Sequence, residues 1–367
     1  MMEETPLLGA APRLGDNRFY QLVGLALIAI LTIGLRMNFA KMASVYDPEL
    51  GHGSEGGENI FSKPLFFAST YFLGKILILP FCNWNPRTFP PHIYYKVFVM
   101  VSFGAVGGIL EYSSMMFLPV SIVVMVRAAG LVAFTALGSA YISQKSPMNT
   151  WIALSLVLVI GGSILACFVH VHTTAVTSLA VVGIILVVLS TVSDGLEQVV
   201  AEIALQDRSM DVDVYIFTGV SGLMGCGIMF IVLLMAQLLP GSDGGVLEDS
   251  LATVSSIYHD WVLALLVLGT IVMSLFEMIA ATAINKYFGA TTKESVLSFR
   301  IVGAWGISLF IFALFPASGF GEPLVGEVAI LKLVGGALII SGILFYVHNR
   351  RSAEDMERAK HEKPYDQ

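Results

Sequence analysis

Residues 289–315 read GATTKESVLSFRIVGAWGISLFIFALF. The stretch opens on a short polar cluster with Lys293 and Glu294, passes Arg300, and then runs apolar for the width of a bilayer. A charge inside a hydrocarbon-spanning helix costs roughly 3 kcal/mol by insertion scales and more by simulation, so such residues face a bundle interior or a wet cavity. A second stretch, 119–144, reads PVSIVVMVRAAGLVAFTALGSAYISQ and holds Arg127 in a similar place. Gly161-Gly162 follows Arg127 by 34 residues, and Gly335-Gly336 follows Arg300 by 35. The chain reads as one unit written twice.

The composition around these stretches agrees with a membrane. Of 367 residues, 56% are hydrophobic and 13% charged, against about 25% charged in an average soluble domain. Mean hydropathy is +0.79. The apolar segments each approach the ~20 residues a helix needs to cross a bilayer. Ten are read, at 19–40, 61–81, 94–117, 119–141, 149–169, 177–201, 213–239, 260–284, 291–315 and 326–348. The predicted fold is all-α integral membrane, with ten transmembrane helices as two inverted five-helix repeats over 19–169 and 170–348.

Charge orients the chain. Arg13, Arg18, Arg87, Lys96, Lys145, Arg208, Lys286, Arg350 and Arg351 fall in the tails and even-numbered loops, whereas the odd-numbered loops are acidic. The excess of cations on one side predicts that both ends are cytosolic. The net charge of −7 comes mainly from loops and tail, and it implies no nucleic-acid partner. Residues 1–18 form a polar tail with Glu3 followed by Leu7-Leu8, an acidic dileucine pattern of the kind clathrin adaptors read on cytosolic tails. Residues 349–367 alternate in charge and predict a solvated, fraying cytosolic helix.

Two lumenal loops have character. Residues 46–60 are glycine-rich and acidic, and predict mobility. In 246–258, Leu247, Leu251, Val254 and Tyr258 recur at helical spacing, which fits a short amphipathic surface helix as well as it fits an ordered loop. Gly104-x-x-x-Gly108, Ser221-x-x-x-Gly225 and Gly161-Gly162 are expected to let helix backbones approach. Cys82, Cys167 and Cys226 show no paired spacing, so no disulfide frame, metal site or cofactor is expected. No HExxH, no aspartyl-protease pair and no serine–histidine arrangement occurs, and the chain is not expected to be an enzyme.

The polar residues inside the spans carry the functional reading. Asn38 and Lys41 share a face of the first span, which also holds Arg36. Glu111 is in the third and Arg127 in the fourth; Asp194, Glu197 and Gln198 are in the sixth, Glu277 in the eighth, and Lys293 and Arg300 in the ninth. Each half thus has an acid in its third helix and an arginine in its fourth. Inverted repeats with polar residues at their interface are a recurrent design for alternating-access transporters. The competing reading is that Glu111–Arg127 and Glu277–Arg300 are ion pairs that only tie helices together. Lys75, late in its span, reads as a snorkelling lysine, and Lys293 and Glu294 as interfacial or buried. Asp194 and Glu197 lie one turn apart with no cation in their own helix, so each needs a partner from elsewhere or a proton. A proton-coupling role follows as an expectation.

Asn38-Phe-Ala-Lys41, Glu197-Gln198 through Glu202, Val246-Leu-Glu-Asp-Ser-Leu-Ala252 and Ala290-Thr-Thr-Lys-Glu-Ser-Val-Leu-Ser-Phe-Arg300 carry a resemblance. The chain resembles the drug/metabolite transporter superfamily. Within that superfamily it looks like the solute carrier 35 family of nucleotide-sugar-transporter relatives, in the F branch with its lysosomal members. The chloroquine-resistance-transporter-like proteins are the near neighbour. The resemblance covers nearly all the spans and implies a central cavity lined by the first, third and fourth helices and their repeat mates. Arg36 and Glu111 depart from the family pattern, and no lysine-rich nucleotide-sugar signature occurs.

The expected function is secondary transport of a small polar or charged solute across a lysosomal, late-endosomal or vacuolar membrane, proton-linked through Asp194 or Glu197. A Golgi nucleotide-sugar antiporter is the alternative if the dileucine is accidental, and a non-transporting membrane scaffold or sorting adaptor is the alternative of another class. A ten-helix bundle can work alone, while relatives often pair as homodimers, so both states stay open.

Overall fold

The structure, a computed structural model, describes residues 16–47, 52–53, 63–83, 85, 89–142, 148–173, 177–207, 211–243, 245–315 and 326–361. Glu3, Leu7 and Leu8 of the sorting pattern, most of the segment 46–60 and the last six residues lie outside them.

The described chain is helical almost throughout. Its helices are α1 (Asp16–Val45), α2 (Pro64–Ile76), α3 (Pro91–Ser114), α4 (Val120–Tyr141), α5 (Thr150–Thr173) and α6 (Thr177–Leu205). They continue as α7 (Val214–Leu238), α8 (Ser250–His259), α9 (Trp261–Phe288), α10 (Ala290–Leu297), α11 (Arg300–Leu314) and α12 (Gly326–His361). Among the described residues nine segments are long and apolar enough to cross a membrane, and α5 adds a shorter apolar run at Thr150–Leu165. Two short strands, β1 (Tyr46–Asp47) and β2 (His52–Gly53), pair antiparallel beyond α1, and β3 (Pro240–Asp243) follows α7.

Local sequence explains the ends. Proline at the first position opens α2 and α3, where its missing N–H has no intrahelical partner to lose. Asp213, Asp249 and Asp260 cap α7, α8 and α9 by accepting two backbone N–H groups each. The span expected at 61–81 is less regular than a single helix. α2 stops at Ile76, and Pro80 turns the remainder into a 3-10 segment at Leu79–Phe81. At the other end α12 runs 36 residues, past the predicted boundary at 348 and through Arg350.

The opening stretch is also broken. Residues 290–314 form one span, as expected, but its helix divides into α10 and α11 with a joint at Ser298-Phe299. The Ser298 hydroxyl donates to the Glu294 carbonyl at 2.7 Å, and i→i+3 backbone bonds take over from Phe299 N to Val302 N. A serine bonded back to its own helix bends it, and a 3-10 turn in mid-helix is a hinge geometry.

α4 is the centre of the bundle. Its most apolar window is 83% buried, against 33–44% for the other eight spans, which keep a face for lipid. Around it α3 packs on α6, α1 on α9 and α11, α2 on α7, and α5 on α12. The α5–α12 contact uses one glycine of each diglycine pair: a methyl group on Gly162 would come within 2.9 Å of the Gly335 carbonyl oxygen, while Gly161 meets nothing within 4 Å and Gly336 faces Met125 and Ile301.

Candidate functional site

Ten charged side chains, five cations and five carboxylates among the described residues, meet in the middle of this bundle. From α1, Arg36 donates through Nε to Glu277 of α9 at 2.6 Å and through Nη1 to the Tyr112 hydroxyl at 2.6 Å. Its Nη2 lies 3.8 Å from Glu111 of α3, and its guanidinium stands 5.6 Å from the centre of the Tyr71 ring. Arg127 of α4 pairs with Glu111 at 3.2 Å and with Asp194 of α6 at 2.8 Å. It also donates to Ser190, whose hydroxyl donates onward to the Gly107 carbonyl. This part holds two arginines and three carboxylates.

A second part runs from α2 to α11. The Lys75 ammonium faces Glu197 of α6 at 3.5 Å and lies 4.2 Å over the Tyr71 ring. Next to Glu197, Gln198 accepts from Lys293 of α10 and reaches back to Glu197 at 3.5 Å. Lys293 and Arg300 share Glu294, at 3.2 and 3.1 Å. Two cations and one carboxylate therefore sit at the α10–α11 joint. The network is electrically balanced as a whole and uneven along its length. A buried pair gains stability from its Coulomb term only when geometry and hydrogen bonds offset desolvation, so removing one partner costs far more than the intact pair contributes.

Small residues make the room. A methyl group on Gly107 would fall 1.7 Å from Asp194 Oδ1, and one on Gly104 2.8 Å from Glu197. Gly104, expected to serve helix packing, does lie where α3 packs on α6, and with Gly107 it leaves space there for the two α6 carboxylates. Gly108 meets only the Ala68 methyl, at 3.8 Å.

The predicted site residues sort into two groups. Glu111, Arg127, Asp194, Glu197, Gln198, Glu277, Lys293 and Arg300 all belong to the network, and Glu111–Arg127 forms as expected. Glu277–Arg300 does not form: Arg36 takes Glu277 and Glu294 takes Arg300. Two outside residues intervene because matched positions in sequence do not fix where long side chains reach. Asn38 and Lys41 stand apart. The Asn38 amide bonds the Gly34 and Ala304 carbonyls, fastening α1 to α11, and Lys41 donates to the Met115 carbonyl just past α3.

The sequence reading missed Tyr71, Tyr112 and Ser190, left Arg36 outside the site and took Lys75 for a snorkelling residue. Lys75 is 3% exposed and fully engaged. Tyr71 and Lys75 are four apart on α2, the spacing that places a cation over a ring, and that signal was available.

A polar rim closes the far side, away from the start of α1 and the end of α12. The Glu248 carboxylate, 2% exposed, accepts the Leu65 and Phe66 N–H groups at the first turn of α2. Lys63 pairs with Asp243, which also accepts the Asp249 N–H at 2.7 Å. Burial pushes the Glu248 carboxyl above the ordinary range despite its two N–H donors. Asp243 is held below that range, where its bonds to Lys63 and the Asp249 N–H outweigh desolvation. On the near side, Lys96 pairs with Asp207 at 2.5 Å and Lys286 with Asp211 at 2.6 Å. Among the described residues no group of three metal-ligating side chains occurs.

No family model matches the chain, and no curated protein does. Solved structures do match. One, described as a crystal structure of a protein, superposes with a TM-score of 0.53 at 13% identity, covering 90% of this chain and 99% of the other. That likeness concerns the fold alone.

Proposed function

We propose that the chain is a secondary active transporter that moves a small polar or charged solute across an endomembrane by alternating access. Its moving parts are residues 19–169 and 170–348, two inverted five-helix units. The observation that carries this reading is the set of pairs Arg36–Glu277, Arg127–Asp194 and Lys75–Glu197. Each joins one unit to the other, and all are buried at the centre. Polar links between units can be exchanged for links to a solute, whereas an apolar seam offers nothing to exchange.

The packing supports the two-unit description. Exchanging the units turns the α3–α6 contact into α9–α1, α4–α6 into α11–α1, and α2–α9 into α7–α3; all are present. The joint between α10 and α11, with Lys293 and Arg300 beside it, is the discontinuous-helix device by which transporters present cations and backbone at mid-membrane. Protonation of Asp194 or Glu197 would release Arg127 or Lys75 from the opposite unit, which is the proposed route for coupling to a proton gradient. The family is that of the drug/metabolite transporters, solute carrier 35 branch. Both termini are cytosolic, and Glu3, Leu7 and Leu8 direct the chain to lysosomal or vacuolar membranes through a clathrin adaptor.

The test is uptake by purified protein in vesicles given a broad metabolite pool, with and without an inward acid gradient, the contents being read by mass spectrometry. Gradient-dependent accumulation is expected, and it should vanish in Arg300→Gln at unchanged expression and folding. The internal ion pairing of the network favours one competitor, a scaffold whose charges only hold helices together, although Glu111 Oε1 and Arg300 Nε are buried without a hydrogen-bond partner among the described residues. That reading gains if no solute accumulates under either condition and matched apolar replacements leave the protein folded and correctly sorted.

A further inference from the structure

α8 lies between α7 and α9 on the far side and is ten residues long, SLATVSSIYH. Winding these residues at about 100° each distributes them over three faces rather than two. Thr253 and Ile257 turn inward, Thr253 being fully buried and Ile257 packed on the core. Leu251, Val254 and Tyr258 form a second stripe and are 75%, 58% and 85% exposed. Ala252, Ser256 and His259 form a third, exposed and mostly polar. A helix between protein and water has two faces. Three faces are what a helix needs where protein, hydrocarbon and water meet.

The exposed apolar stripe is continuous with the lipid belt. It is prolonged by Leu247 before α8 and by Trp261, Leu265 and Leu268 on α9, all exposed. On the other flank Gln237, in the last turn of α7, holds the α8 start by accepting the Ser250 N–H at 2.9 Å. The exposed residues Leu234, Met235 and Leu238 occupy that same end of α7. α8 carries no lysine or arginine, and acids stand at both ends, Asp249 and Asp260. Its surface therefore suits burial of apolar groups at the headgroup–acyl boundary and not attraction to anionic lipid.

We propose that α8 is a lipid-docked helix lying in the far leaflet's interface, with Leu251, Val254 and Tyr258 in the acyl boundary and Ser256 and His259 in water. Docking fixes more than α8. The Asp249 cap hands its own N–H to Asp243, Asp243 holds Lys63, and the adjacent Glu248 holds the first turn of α2. The bilayer surface thereby sets the position of the rim that closes the far side. This inference rests on the membrane reading and not on transport, so a transport-dead chain tests it equally well.

The experiment uses the full chain in phosphatidylcholine nanodiscs, with Cys82, Cys167 and Cys226 replaced by serine and an environment-sensitive fluorophore at Val254→Cys or Ser256→Cys. The expected result is blue-shifted emission at 254, quenched by shallow spin-labelled lipid, and water-like emission at 256, quenched by iodide. Adding phosphatidylserine should change neither. Equal access of iodide to both positions would overturn the proposal. So would a blue shift at 254 that appears only in a dimer and is lost on dilution, which would mean that a second copy covers the stripe. Should the cysteine-free chain fail to fold, hydrogen exchange in otherwise native protein decides. Tyr258→Glu should speed exchange of the α8 amides and Ser256→Glu should not; the same response in both variants sinks the idea.

Discussion

α4 and the α10–α11 pair each bring an arginine to the middle of the bundle, and they hold it differently. Arg127 sits in an unbroken helix and is gripped by carboxylates from two neighbours, Glu111 of α3 and Asp194 of α6. Arg300 follows a break and shares Glu294, a residue of its own segment, with Lys293. α4 and the short α10 are enclosed on nearly all sides, while α11 keeps a broad lipid face. The first arrangement fastens helices to one another. The second carries its own counter-charge across the joint, from Glu294 on α10 to Arg300 on α11, while hydrogen bonds from Lys293 to Gln198, from Ser298 to the Ala128 carbonyl, from Asn38 to the Ala304 carbonyl and from Arg350 to Thr291 tie the segment to its neighbours.

Charge removal is the most forceful way to break this comparison. Arg127→Leu removes the ion-pair partner of Asp194 and leaves Glu111 only the longer contact to Arg36, and should cost about 3–5 kcal/mol of stability. Arg300→Leu leaves Glu294 with Lys293 and should cost about 1–3 kcal/mol. Unfolding in detergent followed by tryptophan fluorescence measures both, and equal losses would mean that the α10–α11 charges are not self-contained. A smaller effect sharpens the α4 side. Gly107→Ala pushes against the Asp194 carboxylate that Arg127 holds and should cost about 1–3 kcal/mol. Gly306→Ala on α11, where a methyl group meets nothing within 4 Å, should be neutral or gain up to about 1 kcal/mol from helix propensity.

The smallest predicted effect sets the rim against the core. Burial raises the Glu248 carboxyl, so the folded form takes up its proton more readily than the unfolded chain. Its contribution is complete below the ordinary glutamate pKa of about 4.3 and is lost as pH rises through the raised value. Wild-type melting temperature should therefore gain on that of Glu248→Gln as pH falls from neutral towards that range. A constant difference would show that Glu248 does not titrate there. Asp243 works in the opposite sense: its contribution fades only as acid protonates it below the ordinary range.

Much of the architecture was readable because each span is a long apolar run bounded by polar loops, and the Asp and Pro signals fix where helices begin. The joint at Ser298-Phe299 was not, since 290–314 keeps its hydropathy across the break, where the backbone switches to i→i+3 bonds. Buried charge in the sequence marked most members of the charge network, though not Arg36 of α1 or Lys75 of α2. Partners were another matter. Arg36 takes Glu277 from the neighbouring α9, and the Lys75 ammonium stands over Tyr71 instead of running to an interface. Reach of that kind depends on side-chain torsions and neighbouring rings, which a pattern of positions does not contain.

The approach of Gly162 to the Gly335 carbonyl has a consequence for biosynthesis. α5 is made and inserted long before α12, and until α12 arrives its bare glycine surface faces lipid with nothing docked on it. The bundle is sealed from its late end, so a nascent chain interrupted before Gly335 leaves the membrane with an open flank.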